Sequence, residues 1–131
     1  MLLAGGLEGK KYPWGDEIET SKANYGNPYS PNWSEGPGKY LKNAGSYPSN
    51  KYGLYDMAGN VWEWGSDWYA SDYYKNSPGK NPKGPGTGTR RVVRGGSWGD
   101  TEAGLRVADR NRDDPDSRFN YLGFRCVQDV R

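Results

Sequence analysis

The segment GLYDMAGNVWEWGSDWY, residues 53–69, decides how this chain folds, because it places acidic residues among the bulkiest aromatic ones. It holds three of the six tryptophans, and its three carboxylates belong to Asp56, Glu63 and Asp67. A carboxylate surrounded by apolar rings is unfavourable unless backbone N–H groups, an arginine or a metal ion satisfies it. The segment therefore predicts an aromatic core next to a loop whose carboxylates have defined partners.

The composition around this segment indicates a single loop-rich domain spanning residues 1–131. Hydrophobic residues make up 33% of the chain and the mean hydropathy is −1.09, values that alone would indicate disorder. The net charge of +2 and the aromatic fraction of 15% argue against disorder, because large rings bury much area with few residues. Twenty glycines and nine prolines predict tight turns and long loops rather than a helical bundle.

The composition also excludes several kinds of site and partner. The chain has no histidine, which removes the commonest metal ligand and the usual acid–base group at neutral pH. Cys126 is the only cysteine, so an internal disulfide is excluded. Cysteine usage therefore does not indicate whether the compartment is oxidising or reducing. We expect no signal peptide and no membrane span, because the first residues are uncharged and the apolar runs are short. The balanced charge gives no reason to expect nucleic acid, and a bacterial cytoplasm or a phage particle suits the sequence equally.

Short apolar runs between polar loops predict an α+β domain whose loops carry the function. Val61 and Glu63 alternate with tryptophans, which predicts a strand with two distinct faces. The predicted strands cover residues 61–64, 90–94, 105–110 and 122–127. The predicted loops cover residues 20–52, 71–89 and 112–120.

Five motifs appear in a fixed order along the chain: YPWGDE (12–17), GLYDMAGNVWEW (53–64), RVVRGGSW (91–98), LRVADR (105–110) and LGFRC (122–126). Together they resemble the formylglycine-generating enzyme, or sulfatase-modifying factor, family. The resemblance implies a loop-rich C-type-lectin-like fold of the α+β class with short antiparallel strands. Family domains are longer before YPWGDE, so we expect this chain to be minimal or truncated at its N-terminus.

The resemblance also provides a test for catalysis. Enzymes of the family oxidise a substrate cysteine with oxygen, using copper(I) held by two cysteines, because soft thiolates select that ion. The corresponding positions fall near Glu102 and Val107, and neither is cysteine. Cys126 lies in the LGFRC motif, which is structural in the resembling enzymes, and we expect it to be a buried packing residue. We therefore expect no copper and no catalytic residue. A diverged or partial oxidase is the alternative function, and a purely structural domain is a third.

Another group of proteins with this fold fits the sequence better, because its members use the fold as a binding scaffold. Variable proteins of diversity-generating retroelements, including phage tail receptor-binding proteins, use the fold to bind ligands. Adenine-directed mutagenesis changes codons such as that of asparagine in their C-terminal segment, which runs from a GGSW-like motif to GFR. Residues 99–121 therefore form a candidate variable surface for a protein or cell-surface ligand, with an ordinary polar loop as the alternative. The candidate ligand-binding residues are Trp98, Gly99, Asp100, Thr101, Gly104, Asp109, Asn111, Asp113, Asp114, Asp116, Ser117, Phe119, Asn120 and Tyr121.

The resemblance further implies a structural calcium ion in the opening segment. Its ligands would be Asp56, the backbone carbonyls of Gly59 and Val61, and Glu63. Calcium takes hard oxygen ligands, so two carboxylates and two carbonyls form a suitable partial shell. In the alternative interpretation, Asp56 caps the following turn and Glu63 pairs with Arg94 or Arg125.

A second family calcium site would begin at Asn24 and the Tyr25 carbonyl. Its acidic ligand would fall near Glu35 or Gly36, where the family pattern breaks.

The arginines of the C-terminal third have two interpretations. Arg106, Arg110 and Arg125 recur near acidic residues, which indicates either an anion-binding groove or a structural network of ion pairs. Trp68 and Tyr69 are the aromatic residues that we expect nearest the surface, whereas the other tryptophans belong to the core.

Overall fold

A four-stranded sheet organises the protein in the computed structural model, which describes residues 9–27, 39–80 and 82–128. The strands stand in the order β3-β2-β1-β4. The elements are β1 (Trp62–Trp68), α1 (Tyr73–Asn76), β2 (Arg91–Arg94), β3 (Asn111–Asp113) and β4 (Leu122–Gly123). No helix in these ranges is long and apolar enough to cross a membrane.

Strand β1 lies inside the sheet and belongs to the aromatic segment of residues 53–69. It pairs antiparallel with β2, with Trp64 opposite Val93, and its register shifts before Trp68 meets Arg91. Gly65 lies at this irregularity, where a Cβ atom would stand 3.3 Å from the Val92 carbonyl oxygen. Glycine there lets β2 approach closely and lets the strand bend.

Strand β4 pairs with β1 in the parallel sense, with Trp62 opposite Leu122 and Glu63 opposite Gly123. The Trp62 N–H donates to the Tyr121 carbonyl at 2.7 Å. The expected α+β, loop-rich fold class is confirmed, but this parallel pair differs from the expected antiparallel strands. A parallel pairing needs a long connection, and the loops and strands between β1 and β4 provide one.

The core is built from few side chains, and aromatic rings supply much of it. The buried hydrophobic residues of the described chain are Tyr12, Ala23, Ala58, Trp62, Val92, Val93, Trp98 and Leu105. Tyr12 also stacks on Trp14, with ring centroids 5.6 Å apart. Trp64, which was expected in the core, is only half-buried, and so is Trp68, which was expected nearest the surface.

Two sequence predictions about the C-terminal strands are wrong. Residues 105–110 form turns, with the Leu105 N–H donating to the Glu102 carbonyl and Asp109 to Arg106. The strand follows at β3, whose last two residues fall in the segment predicted to be a polar loop. The predicted closing strand shortens to two residues, and residues 124–128 are exposed.

Candidate functional site

The loop before β1 has a backbone that few residue types adopt. Asp56 and Asn60 have positive φ angles of 52° and 67°, and Gly59 has 79°. Asparagine and aspartate tolerate this left-handed region better than most other residues, whereas glycine adopts it freely. A Cβ atom at Gly59 would lie 2.5 Å from the Asn24 carbonyl oxygen, which also accepts the Asn60 N–H at 2.8 Å. The loop is therefore fixed against residues 23–24.

This loop, residues 44–45 and the C-terminal segment border an open cavity of about 560 Å³. All four predicted calcium ligands, Asp56, Gly59, Val61 and Glu63, line it. Arg125 lines the same cavity. The sequence prediction thus identified residues that the fold brings together.

Arg125 is the cation that the structure places at Glu63. Its Nε and Nη2 atoms each lie 2.5 Å from a carboxylate oxygen of Glu63, a two-bond arrangement. Arg125 also donates to the carbonyls of Tyr55 and Asp56 at 3.1 Å. The Glu63 hydrogen bond raises the pKa of Arg125 above its ordinary value, against the opposing effect of burial. The Glu63–Arg125 pair of the alternative interpretation is thus present, whereas Arg94 donates to the carbonyls of Val107 and Asp109.

Asp56 does not cap the turn that follows it. Its carboxylate instead accepts the Gly45 N–H at 2.6 Å and so joins the two loops that border the cavity. The donor set still fits calcium in its chemistry, because two carboxylates and backbone carbonyls are hard oxygen ligands. A calcium ion bound through both side chains would share Glu63 with Arg125 or displace that arginine. Calcium binding here stays a prediction.

Asn24, the first residue of the second predicted calcium site, is a buried hydrogen-bonding centre. Its Nδ2 donates to the Tyr40 carbonyl at 2.7 Å and to Asn60 Oδ1 at 3.1 Å, and its Oδ1 accepts from Asn27 at 3.0 Å. The Tyr25 carbonyl accepts a longer bond of 3.4 Å from Asn27. Burial, followed by the nearby Glu102 charge, raises the pKa of the Tyr25 phenol. The predicted ligand near Glu35 or Gly36 lies outside the described residues, so this second site also stays a prediction.

The candidate surface of residues 98–121 divides into supporting and exposed members. Trp98 is 4% exposed and stacks on Tyr40 at 4.9 Å, so its ring belongs to the core and not to a binding surface. Asp100 accepts from the Ser97 N–H at 2.8 Å and from its hydroxyl at 2.5 Å. A Cβ atom at Gly104 would lie 3.1 Å from Asp100 Cβ. These three predicted ligand contacts therefore support the surface from beneath.

The remaining candidates reach the protein surface to different degrees. The exposed ones are Thr101, Asn111, Asp114, Asp116 and Phe119. The half-buried ones are Gly99, Asp109, Asp113, Ser117, Asn120 and Tyr121. The Phe119 and Tyr121 rings stack at 4.9 Å with an angle of 8°, and Asn120 Oδ1 is a buried acceptor that has no hydrogen-bond partner in the described part of the chain.

The arginines of this region supply the ion pairs of one sequence interpretation, whereas the anion-binding groove stays a prediction. Arg106 pairs with Asp109 at 3.2 Å and Arg90 pairs with Asp114 at 3.3 Å, which are structural ion pairs. Arg110 instead stacks between the rings of Tyr69 and Tyr74. Sequence reasoning missed the role of Tyr74 because nothing in the chain indicates that α1 lies beside residue 110.

The cysteine-equivalent positions carry no thiol chemistry. Glu102 is exposed in a turn and Val107 is half-buried, with its carbonyl bonded to Arg94. Cys126 is exposed, contrary to the expected buried packing role, because β4 ends at Gly123 and the chain leaves the sheet.

Comparison with known proteins supplies the wider context. The family model of the sulfatase-modifying factor enzyme 1-like domain matches residues 3–130. The formylglycine-generating enzyme of Streptomyces coelicolor is 44% identical over 96% of this chain and 43% of its own length. Serine/threonine-protein kinase Pkn1 of Chlamydia trachomatis is 43% identical over all of this chain but only 20% of its own length.

Among solved structures, Treponema denticola variable protein 1 superposes with a TM-score of 0.76 at 32% identity. The match covers 92% of this chain and 41% of that one. The chain thus spans less than half the length of each of these relatives.

Proposed function

The chain belongs to the sulfatase-modifying factor enzyme 1-like family, and we propose that it uses the family fold to bind a partner rather than to oxidise a cysteine. The partner is a protein or a cell-surface ligand. The binding surface consists of the exposed members of residues 99–121, carried by the turns before β3 and by the loop between β3 and β4.

One observation carries this proposal: the two positions expected to hold copper(I) fall near Glu102 and Val107, neither of which is cysteine. Copper(I) needs soft sulfur ligands, and a carboxylate and an aliphatic side chain supply none. The likeness to a variable protein at a TM-score of 0.76 supports binding as the alternative use of the same fold. Diversification of residues 99–121 by a retroelement is part of the proposal.

The form of the candidate surface also supports binding. The buried Trp98 and the half-buried Asp100 hold its backbone by ring stacking and hydrogen bonds. Its exposed members, among them Thr101 and Asp116, lie at turns and can change without disturbing these contacts. A rigid support under an adaptable loop surface is the arrangement that binding proteins use.

Catalysis is tested directly with copper(I) and a cysteine-containing peptide. We expect no oxygen consumption above the level of the metal and peptide alone, with an active formylglycine-generating enzyme as positive control. Copper-dependent turnover by this chain would overturn the binding proposal and favour the oxidase.

Binding is tested by site-specific photo-cross-linking on the intact chain. A photoreactive residue at Asp116 is expected to cross-link a partner from the source cells, whereas the same residue at Glu19, an exposed position outside the candidate surface, is not. Equal labelling from both positions would contradict the assigned surface. Cross-linked species are identified by mass spectrometry, which also distinguishes a protein from a glycan.

A second proposal concerns calcium as a structural ion at Asp56, Gly59, Val61 and Glu63. It is supported by one observation, that all four residues line the same cavity. The ion would stabilise the loop that precedes β1 and would supply no chemistry to a substrate.

A further inference from the structure

Two arginines and two tyrosines form a continuous stack beside the sheet. The Arg110 guanidinium lies 4.5 Å from the Tyr74 ring centre and 4.7 Å from the Tyr69 ring centre. The Arg112 guanidinium lies 4.8 Å from the same Tyr69 ring. We name these four residues the arginine–tyrosine stack.

We propose that the arginine–tyrosine stack binds an oxyanion, the carboxylate or phosphate group of an acidic protein segment. The inference rests on the proposed binding function and specifies the ligand chemistry of one part of that surface. It concerns Arg110 and Arg112, which lie within residues 99–121 but are not in the set of candidate ligand-binding residues.

The stack is held in place by backbone contacts on both sides. Tyr69 follows β1, and its N–H donates to the Arg90 carbonyl at 2.8 Å. Arg110 Nη2 donates to the Ala70 carbonyl at 2.7 Å. Arg112 belongs to β3, where it stands opposite Val92, and Tyr74 belongs to α1. Because the Ala70 hydrogen bond restrains Arg110 and the Tyr69 ring contacts both guanidinium groups, a ligand has less conformational entropy to remove on binding.

The charges of the stack are not neutralised within the described residues. No carboxylate there lies within 4.0 Å of Arg110 or Arg112, whereas Arg90, Arg106 and Arg125 each have such a partner. A guanidinium carries five N–H donors in a planar fork. Arg110 uses one of its groups at Ala70, and the Arg112 side chain makes no hydrogen bond in the described part of the chain. Donors therefore remain for an oxyanion, which a guanidinium binds through two parallel bonds.

Two observations favour an acidic protein segment over a nucleic acid. Asp113, Asp114 and Asp116 follow Arg112 closely in the chain, and they repel a ligand with many negative charges more strongly than a segment with one or two carboxylates. The net charge of +2 gives no long-range attraction for one either.

Recognition is through side chains rather than through an added strand. The Arg112 backbone N–H already donates to Asn111 Oδ1 at 2.9 Å, so β3 does not offer this group to a neighbouring peptide backbone.

The test uses the full chain and capped synthetic peptides at low ionic strength. One peptide contains two glutamates in a glycine–serine background, and its control contains two glutamines; inorganic phosphate is the third probe. We expect NMR shifts of the Arg112 and Tyr69 amides with the glutamate peptide or phosphate, and none with the glutamine peptide. Comparison of the two anions tells which source binds more tightly.

Substitutions separate a built site from general charge attraction. Arg112→Gln is expected to weaken oxyanion binding about tenfold, since a hydrogen bond to a charged group is worth at least that factor. Arg118→Gln is the matched control, because Arg118 is exposed, carries the same charge and makes no contact with the two rings. Arg112→Lys keeps the charge but loses the planar fork, and it is expected to bind more weakly than the unmodified chain.

Three results would overturn the oxyanion site: no shift with either anion, equal weakening by Arg112→Gln and Arg118→Gln, or full retention in Arg112→Gln. Circular dichroism confirms that each variant is folded. These results leave the wider binding proposal intact when photo-cross-linking at Asp116 still finds its partner, so failure of one is distinguishable from failure of the other.

Discussion

Two asparagines of the described chain have opposite hydrogen-bonding situations. Asn24 bonds to Tyr40, Asn60 and Asn27 through its side chain, whereas Asn120 holds a buried oxygen that has no partner among the described residues. A buried polar atom without a hydrogen-bond partner destabilises the folded state by about 1–3 kcal/mol. Removal of the Asn24 side chain would leave the groups that it bonds without this partner.

The Asn24→Ala substitution is therefore expected to lower the free energy of unfolding by about 3 kcal/mol. Asn120→Ala is expected to leave it unchanged or raise it by about 1 kcal/mol, because it removes an unsatisfied atom. Urea denaturation followed by tryptophan fluorescence measures both. A loss in Asn120→Ala as large as that in Asn24→Ala would contradict the assignment.

At the same scale, Gly59 and Gly53 form a matched pair. Both have left-handed φ angles, 79° and 75°, but only Gly59 has an atom within 4 Å of the position of a Cβ, the Asn24 carbonyl oxygen at 2.5 Å. An alanine at either position meets backbone strain, and at Gly59 it also meets this contact.

Gly53→Ala is expected to destabilise by about 1 kcal/mol and Gly59→Ala by at least about 3 kcal/mol. Thermal unfolding by circular dichroism measures the difference. Equal losses would show that strain alone, and not the approach of residue 24, requires glycine at position 59.

At the scale of elements, residues 99–121 combine fixed and replaceable positions. Asp100 supplies the acceptor for the Ser97 N–H and hydroxyl, and Ser97 has 0% exposure. Thr101 and Asp116 are exposed, and their side chains make no hydrogen bond in the described part of the chain.

Serine placed at these positions separates the two classes. Asp100→Ser is expected to lower stability by about 2 kcal/mol, because the short side chain no longer reaches both Ser97 groups. The double substitution Thr101→Ser with Asp116→Ser is expected to stay within about 0.5 kcal/mol of the parent. If the double variant loses as much as Asp100→Ser, this loop surface is not free to vary.

Sequence patterns predicted elements best where side-chain periodicity and burial agree. Trp62 and the valines of β2 alternate or cluster as strand residues do, and both strands were located. The apolar residues of 105–110 have the spacing expected of a strand, but they lie in a run of turns in which Leu105 alone is buried. Strand β3 is polar because it lies at the sheet edge, so hydrophobicity could not reveal it.

The candidate site was predictable in part for the same reason. Local spacing brought Asp56 and Glu63 to one cavity, but their bond partners come from distant segments, Gly45 and Arg125. The parallel return of β4 sets the position of Arg125, and this topology has no local signal in the sequence.

At the scale of the whole molecule, the predicted calcium ion at the loop before β1 would raise the free energy of unfolding of the domain. An ion that binds only the folded state stabilises it by about 2.7 kcal/mol at one hundred times its dissociation constant. We therefore expect the melting temperature to rise when calcium replaces EGTA.

The variant Asp56→Asn is expected to reduce this rise, since it removes one of two ligand charges while keeping the shape. Asp67→Asn, outside the predicted ligand set, is the control and should keep the rise. Superimposable transitions of the parent chain in calcium and in EGTA would remove the calcium proposal.

The parallel position of β4 has a consequence for synthesis. Strand β1 ends at Trp68, but the strand that covers its second edge ends at Gly123, so the ribosome must first add the 55 residues from 69 to 123. At 5–20 residues per second this takes roughly three to eleven seconds. Throughout that interval the nascent chain carries an aromatic strand with an open edge, the kind of surface that chaperones shield until translation is complete.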